Sequence, residues 1–149
     1  MKAEILSIGT EILLGEIVDT NAAYIASRLP ALGIDIHFKA VVGDNLDRLV
    51  DTIARARGRS DVVICTGGLG PTQDDLTREA IALMAGVDLV EDAASVEIIR
   101  DMFAKRGRVM PDRNRVQARF PRGAEPLFNS CGTAPGAGSY SFVVHQPDL

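Results

Sequence analysis

The sequence has only two cysteines, Cys65 and Cys131, and nothing in their spacing pairs them. That excludes a disulfide-stapled secreted scaffold and points to a reducing, cytoplasmic compartment. Long apolar runs are also missing, so no segment has the length to cross a bilayer as a helix. Met1-Lys2-Ala3-Glu4 leads into an apolar stretch too short for a signal core, and Glu11 breaks the apolar pattern soon after it. No secretory leader and no membrane partner are therefore expected. Positive charge is not in excess either: the formal net charge is -4, which argues against a nucleic-acid backbone as the main partner. Low-complexity tracts and internal repeats are absent. What is present is ordinary for one globular domain: 149 residues, 46% hydrophobic and 24% charged, enough to build a core.

The most informative stretch runs from Cys65 to Thr77. The apolar run Val62-Val63-Ile64-Cys65 reads as a strand, Thr66-Gly67-Gly68-Leu69-Gly70 as a glycine-rich turn, and Leu76 to Ala85 as a helix. Glycines here let the chain turn sharply and leave backbone N–H groups open to a ligand. The helix start behind them favours an anion such as phosphate. Yet Asp74 and Asp75 stand at the same place. A carboxylate about 4 Å from a phosphate is repelled by about 4 kcal/mol at an effective dielectric of roughly 20. A divalent cation such as Mg2+ between them removes the conflict, so the pattern predicts a metal-bridged phosphate site. The competing reading is plain helix capping, with Asp74 or Asp75 as N-cap and Thr72 completing a capping pattern.

The rest of the chain supplies a frame for that turn. Ala3 to Ile8 predicts a first strand, followed by Gly9-Thr10-Glu11, whose glycine spacing is not the dinucleotide fingerprint. Asp19-Thr20-Asn21 offers caps for a helix with Ala22, Ile25, Ala26, Leu29 and Leu32 at helical spacing and Gly33 as its stop. Pro30 should kink or shorten its last turn. Ile34 to Val42 reads as a second strand, with Ile34, Ile36 and Phe38 on one face and Asp35, His37 and Lys39 on the other. Gly43-Asp44-Asn45 turns into a second helix through Leu46, Leu49, Val50, Ile53 and Ala54, closing at Gly58. The order β-α-β-α-β-α argues for a parallel sheet with helices on both faces. Right-handed crossovers then bring 9–11, 43–45 and 66–75 to one sheet edge, where ligands of open α/β sheets bind.

Beyond Gly86 a helix is expected over Asp92 to Phe103, with Val96, Ile99 and Phe103 inward, and a further one from Pro111 to about Arg119. Lys105, Arg106, Arg108, Arg113, Arg115, Arg119 and Arg122 crowd this region. They read either as a solvated surface or as a wall for an anionic substrate or an acidic patch on a second subunit. Gly132-Thr133-Ala134-Pro135-Gly136 is a second glycine turn, alone no more than a loop. Tyr140 to Val144 is strand-like, and His145 has no acidic or cysteine partner nearby in sequence.

Taken together, these motifs resemble the opening of the competence/damage-inducible protein A (CinA) family, whose N-terminal domain is of the molybdenum-cofactor-biosynthesis, molybdopterin-binding type. The resemblance rests on Ile8 to Gly15 with Asp19-Thr20-Asn21, and most specifically on Thr66 to Thr72 with Asp74-Asp75-Leu76-Thr77. Met110-Pro111, Asn114, Gln117-Ala118 and Gly132 to Gly136 extend it, so that it covers about residues 3 to 136. It implies a three-layer α/β/α fold with a mostly parallel sheet, like that of the molybdopterin adenylyltransferases. After Gly136 the family pattern continues through a strand and a Leu-Pro-Gly-x-Pro turn into a final helix. This chain instead reads Ala137-Gly138-Ser139-Tyr140 and ends at Leu149, so a shortened end to a single domain is expected. The second, deamidating domain of full-length bacterial members is not in this chain.

The resemblance also implies an activity: metal-dependent hydrolysis of ADP-ribose to AMP and ribose 5-phosphate. The two aspartates that support nucleotidyl transfer in the molybdenum-cofactor relatives fall by position on Asp44 and Asp75. Asp44, Asp74 and Asp75 are then expected to hold the divalent ion, with Glu11 as a water-orienting base. Gly67, Gly68, Gly70 and Thr72 are expected to cradle phosphate. Asp19, Asn21, Gly132 and Thr133 are expected to contact the nucleotide, in a homo-oligomer. The alternatives are a molybdopterin-binding or adenylylating domain and a non-catalytic nucleotide-binding module.

Overall fold

The computed structural model describes residues 1–130, 132–139 and 142–144. Tyr140, the remaining cysteine at Cys131 and His145 lie outside the described residues. Strand β1 (Lys2–Ile8) is buried on both faces from Ala3 onward, with Glu4 and Ser7 as polar residues among its apolar ones. It pairs in parallel with β2 (Asp35–Val42) on one side and β3 (Val62–Thr66) on the other. A short α1 (Thr10–Leu13) and then α2 (Thr20–Arg28) come after β1; α3 (Leu46–Arg59) comes after β2; α4 (Thr77–Ala85) comes after β3. The six-stranded sheet runs β2-β1-β3-β8-β7-β6, where β6 is Glu125–Leu127, β7 Gly136–Ser139 and β8 Phe142–Val144. β8 joins β3 in parallel, and β7 and β6 close the edge antiparallel.

Apolar side chains divide cleanly between the two faces of this sheet. Leu6, Ile8, Val42, Val63 and Cys65 meet Leu49, Ile53 and Ala56 of α3 and Ala80 and Ile81 of α4. Ala3, Ile5 and Ile64 meet Ala22 and Leu29 on the other side. Helices therefore cover both faces, the three-layer α/β/α arrangement expected of a βαβ order. β3 is apolar without alternation from Val62 to Cys65, as suits a parallel strand covered on both faces. Among the described residues no helix is long and apolar enough to cross a membrane.

Several sequence expectations need correction. The register of β1 against β2 slips between Ala3 and Glu4, which pair with Ile36 and Phe38, so His37 is the extra residue of a bulge. The slip reverses the alternation that put Phe38 with Ile34 and Ile36. Ile34 and Ile36 stay on the α2 face, while Ala40 and Val42 turn to the α3 face. Phe38 turns with them, and its ring lies 3.9 Å under the Arg59 guanidinium. α3 does not close at Gly58 but continues to Arg59, and Ala56 rather than Ala54 faces inward. The helix containing Pro30 does end early, at Arg28, and a 3₁₀ turn, Leu29–Leu32, carries the proline before Gly33. α5 (Ala93–Lys105) is capped by Asp92, but the segment after Pro111 is a 3₁₀-helix, Asp112–Ala118. A small antiparallel ribbon of β4 (Leu89–Glu91) and β5 (Arg119–Pro121) was not foreseen, because three-residue strands carry too little periodicity to read.

One buried charge fixes the far end of α3. Glu4 is fully buried in β1 and accepts from Arg59 Nε at 2.9 Å and from Nη2 at 2.6 Å, with Ser60 Oγ at 3.3 Å. The Glu4 hydrogen bond raises the Arg59 pKa above its ordinary value. Removing the arginine alone strands a buried carboxylate, the costly half of such a pair. Arg59→Met should therefore lower the urea midpoint, and adding Glu4→Gln should restore much of it. A double variant no more stable than Arg59→Met would show that the Glu4 charge is not what Arg59 satisfies.

Candidate active site

The three β-to-α loops meet at the carboxyl edge of the sheet, and the contacts that join them can be traced residue by residue. β1 ends at Ile8, and the Gly9 amide donates to the Val42 carbonyl at 2.9 Å, tying the first loop to the end of β2. Thr10 then clamps Asp44: its amide and its hydroxyl both donate to Asp44 Oδ2 at 2.9 Å. The Asp44 amide returns a bond to Thr10 Oγ1 at 3.1 Å. The glycine turn presses on the same strand end. A Cβ on Gly67 would stand 2.1 Å from the Ile8 carbonyl oxygen, and one on Gly68 would meet Thr77 Oγ1 at 2.2 Å. Both glycines have positive φ, 94° and 65°. Thr77, the first residue of α4, donates its hydroxyl to the Gly67 carbonyl at 2.7 Å and holds the turn in place.

Asp75 is built like Asp44. Its Oδ2 accepts from the Thr72 amide at 2.9 Å and from the Thr72 hydroxyl at 2.5 Å, and the carboxylate lies over Gly70. This overturns the helix-capping reading. The N-cap position of α4 belongs to Leu76, with no side-chain cap bond, and Asp75 closes the loop before it instead. Among the described residues Oδ1 of Asp44 and of Asp75 carries no hydrogen bond. Each aspartate thus has one oxygen fixed by a threonine and one available to a ligand.

The other expected residues distribute unevenly. Glu11 is exposed and folds back over Gly9 at the same edge. Asp19 has a structural duty: Oδ1 caps α2 through the Ala22 amide at 3.0 Å, and Oδ2 accepts from Ser7 Oγ at 2.5 Å. Asn21, just inside that helix, has Oδ1 buried without a partner. Asp74 is exposed on the outside of its turn. Among the described residues no three His, Cys, Asp or Glu side chains are gathered as a metal centre, so Asp44, Asp74 and Asp75 do not form the expected three-aspartate set. A hard divalent ion such as Mg2+ commonly takes only one or two carboxylates and completes its shell with water and substrate phosphate. Asp44 and Asp75, each with an open oxygen, fit that mode.

Gly132 and Thr133 precede Ala134, which packs in the same core cluster as Leu69 of the glycine turn. They line a cavity of about 310 Å³ against α5, with Ile98, Met102, Leu127 and Phe128, whose lining includes none of the glycine-turn residues. Thr133 accepts from Gln117 Nε2 at 3.3 Å, and Gln117 from Asn114 Nδ2 at 3.0 Å. The seven basic residues of 105–122 are all exposed, with Arg115 paired to Glu91 and Arg122 to Asp88, which favours the solvated-surface reading. Cys65 is buried beneath the turn, and burial pushes its thiol up to about 12, so it is no nucleophile. Sequence reasoning missed Thr10, Thr77 and Arg78. The signal for the threonines was a hydroxyl residue beside each glycine turn, an anchor for a loop carboxylate or carbonyl.

Comparison with known proteins shows the family and the fold. Residues 4–144 match the family model described as a probable molybdopterin binding domain. A CinA-like protein of Deinococcus deserti is 52% identical over 134 residues, covering 90% of this chain and 33% of the relative. A CinA-like protein of Nostoc is 53% identical over 136 residues, 91% of this chain and 32% of the relative. The chain thus spans about a third of the length of the curated relatives it matches. The crystal structure of a CinA protein of unknown function from Thermoplasma acidophilum superposes with a TM-score of 0.89 at 32% identity, over 99% of this chain and 90% of that one. The molybdopterin biosynthesis enzyme MoaB of Thermus thermophilus superposes with a TM-score of 0.60 at 17% identity, over 99% and 81%, a likeness of fold alone.

The joined loops make a stability prediction. Gly33 also has positive φ, 71°, but open space where a Cβ would go. Gly33→Ala should cost about 1–2 kcal/mol from the left-handed backbone alone. Gly67→Ala should cost clearly more, because the Ile8 carbonyl must move as well. Urea unfolding of the two variants side by side checks this, and equal losses would mean the contact is slack.

Proposed function

The chain belongs to the molybdopterin-binding domain family and to its CinA group, and on that premise we propose that it is a metal-dependent nucleotide pyrophosphatase acting on ADP-ribose. The observation that carries this reading is the pair of threonine-anchored aspartates, Asp44 and Asp75, on loops that share one sheet edge with a glycine turn. A cradle of amides without carboxylates would suit a bare anion; carboxylates beside it suit an anion that arrives with a cation.

Asp44 and Asp75 would hold a divalent ion through Oδ1, and that ion would polarise a phosphoryl oxygen and acidify the attacking water. The amides of Gly67, Gly68 and Gly70 are the donors for the remaining phosphate oxygens. Glu11, whose carboxylate lies over Gly9 at the same sheet edge, would take the proton from water as its oxygen bonds to phosphorus. The P–O bond from the attacked phosphorus to the bridging oxygen breaks, the water oxygen stays on that phosphate, the bridging oxygen leaves on the other, and the products are AMP and ribose 5-phosphate. Asn21 Oδ1, buried and unpartnered, is an acceptor suited to a ribose hydroxyl. Thr10 and Thr72 touch no reacting atom; they orient the two carboxylates.

A second reading is favoured by the family description itself, a domain that binds molybdopterin. Titration with molybdopterin against ADP-ribose separates the two. Saturable pterin binding with no release of AMP from ADP-ribose would replace the first reading, and nucleotide binding without turnover would point to a binding module.

Asp75→Asn and Asp44→Asn should each abolish AMP release while leaving the melting temperature close to that of the parent. Thr10→Val and Thr72→Val should lose about 10–100-fold, the usual cost of freeing a ligand side chain from its support. Full turnover in Asp75→Asn would dismiss the assignment.

A further inference from the structure

Arg78 is the second residue of α4 and only 3% exposed. Its Nη1 donates to the Leu69 carbonyl at 2.6 Å and its Nη2 to the Gly70 carbonyl at 2.8 Å. Its Nε is buried with no hydrogen-bond partner, as is Oε2 of the neighbouring Glu79. Burial pushes the Arg78 pKa down, and the carboxylates of Glu79 and Asp75 draw it back up. A guanidinium remains charged even so. A cation this deep, and only partly satisfied, is an expensive way to fill space that an apolar side chain would fill more cheaply. Its fork is instead matched to two consecutive carbonyls of the glycine turn.

That match has a geometric consequence. In a trans peptide the N–H points opposite to the carbonyl. With the Leu69 carbonyl drawn toward Arg78, the Gly70 amide must point away from it, out of the loop. The next peptide ends in Pro71, which has no N–H, so Gly70 is the donor this part of the turn presents. The charge matters too: a cation behind the loop offsets the repulsion between Asp75 and an incoming phosphate.

We propose that Arg78 is a positioning residue of the phosphate cradle, which holds the Leu69 and Gly70 carbonyls inward so that the Gly70 amide faces the phosphate. This rests on the reading that the glycine turn binds phosphate, but not on which phosphoanhydride is cleaved. The guanidinium acts through the backbone and touches no substrate.

The test is amide NMR of the parent chain, Arg78→Lys and Arg78→Met, titrated with inorganic pyrophosphate and magnesium, with a melting curve for each. In the parent chain pyrophosphate should shift the Gly70 amide. Arg78→Lys keeps the charge and the aliphatic stem but not the fork. It should melt near the parent, bind pyrophosphate at least tenfold more weakly, and show a reduced Gly70 shift. Arg78→Met should lose the shift; should it fail to fold, Arg78→Lys decides alone. With ADP-ribose as substrate, Arg78→Lys should raise KM more than it lowers kcat. Pyrophosphate binding by Arg78→Lys within twofold of the parent, or a Gly70 amide that pyrophosphate leaves unmoved in the parent, overturns the proposal. An Arg78-dependent Gly70 shift in a chain that never releases AMP from ADP-ribose would leave the proposal standing and remove the pyrophosphatase reading.

Discussion

The backbone of Gly67 lies so close to the end of β1 that a methyl group there would stand 2.1 Å from the Ile8 carbonyl oxygen. Such an approach is open only to glycine, and the left-handed φ at the same residue reinforces the requirement. Because the turn after β3 is pressed against the end of β1, it also neighbours the loop that β1 leads into. That loop carries Thr10, and through Thr10 it reaches Asp44 on the loop after β2. Three loops far apart in sequence are thereby drawn into one edge. The loops after β2 and β3 carry Asp44 and Asp75, each anchored by a threonine amide and hydroxyl.

Charge is handled in the same local way throughout the domain. Glu4, fully buried, is matched by the fork of Arg59, and Arg59 in turn stacks on Phe38. Arg78, almost fully buried, is matched by two carbonyls rather than by a carboxylate. The first pair ties the end of α3 to the sheet. The second leaves positive charge beneath a loop whose outer side carries acidic residues. Arg115 and Glu91 form a third forked pair, but an exposed one, and there the partner lowers the Glu91 pKa without a buried charge at stake.

Much of this could be read from residue order. The alternation of short apolar runs with helical patterns announced a parallel sheet, and Thr66 to Thr77 announced a glycine turn between a strand and a helix. Asp75 was singled out by its place at a helix start behind the glycine turn, whereas Asp44 came from the family resemblance, since a lone aspartate after a glycine is a common turn. The errors share a cause. The bulge at His37 reversed the faces of β2 because register depends on the neighbouring strand, not on the strand's own pattern. Asp19 looked like a ligand and is a helix cap tied to Ser7. Gly132 and Thr133 were grouped with the cradle by motif, yet the chain carries them to a cavity beside α5.

By itself the sequence determined the order of strands and helices from β1 to α4, the glycine turn between β3 and α4, and the family to which those motifs belong. These arise from local sterics and hydrophobic periodicity, which act over a few residues at a time. Only the tertiary structure decided which carboxylates share an edge, which oxygens their threonines occupy, and that a buried arginine stands behind the turn. Those depend on contacts between residues distant in the chain, where a hydrogen bond such as Thr10 to Asp44 exists only once the sheet has aligned the two loops.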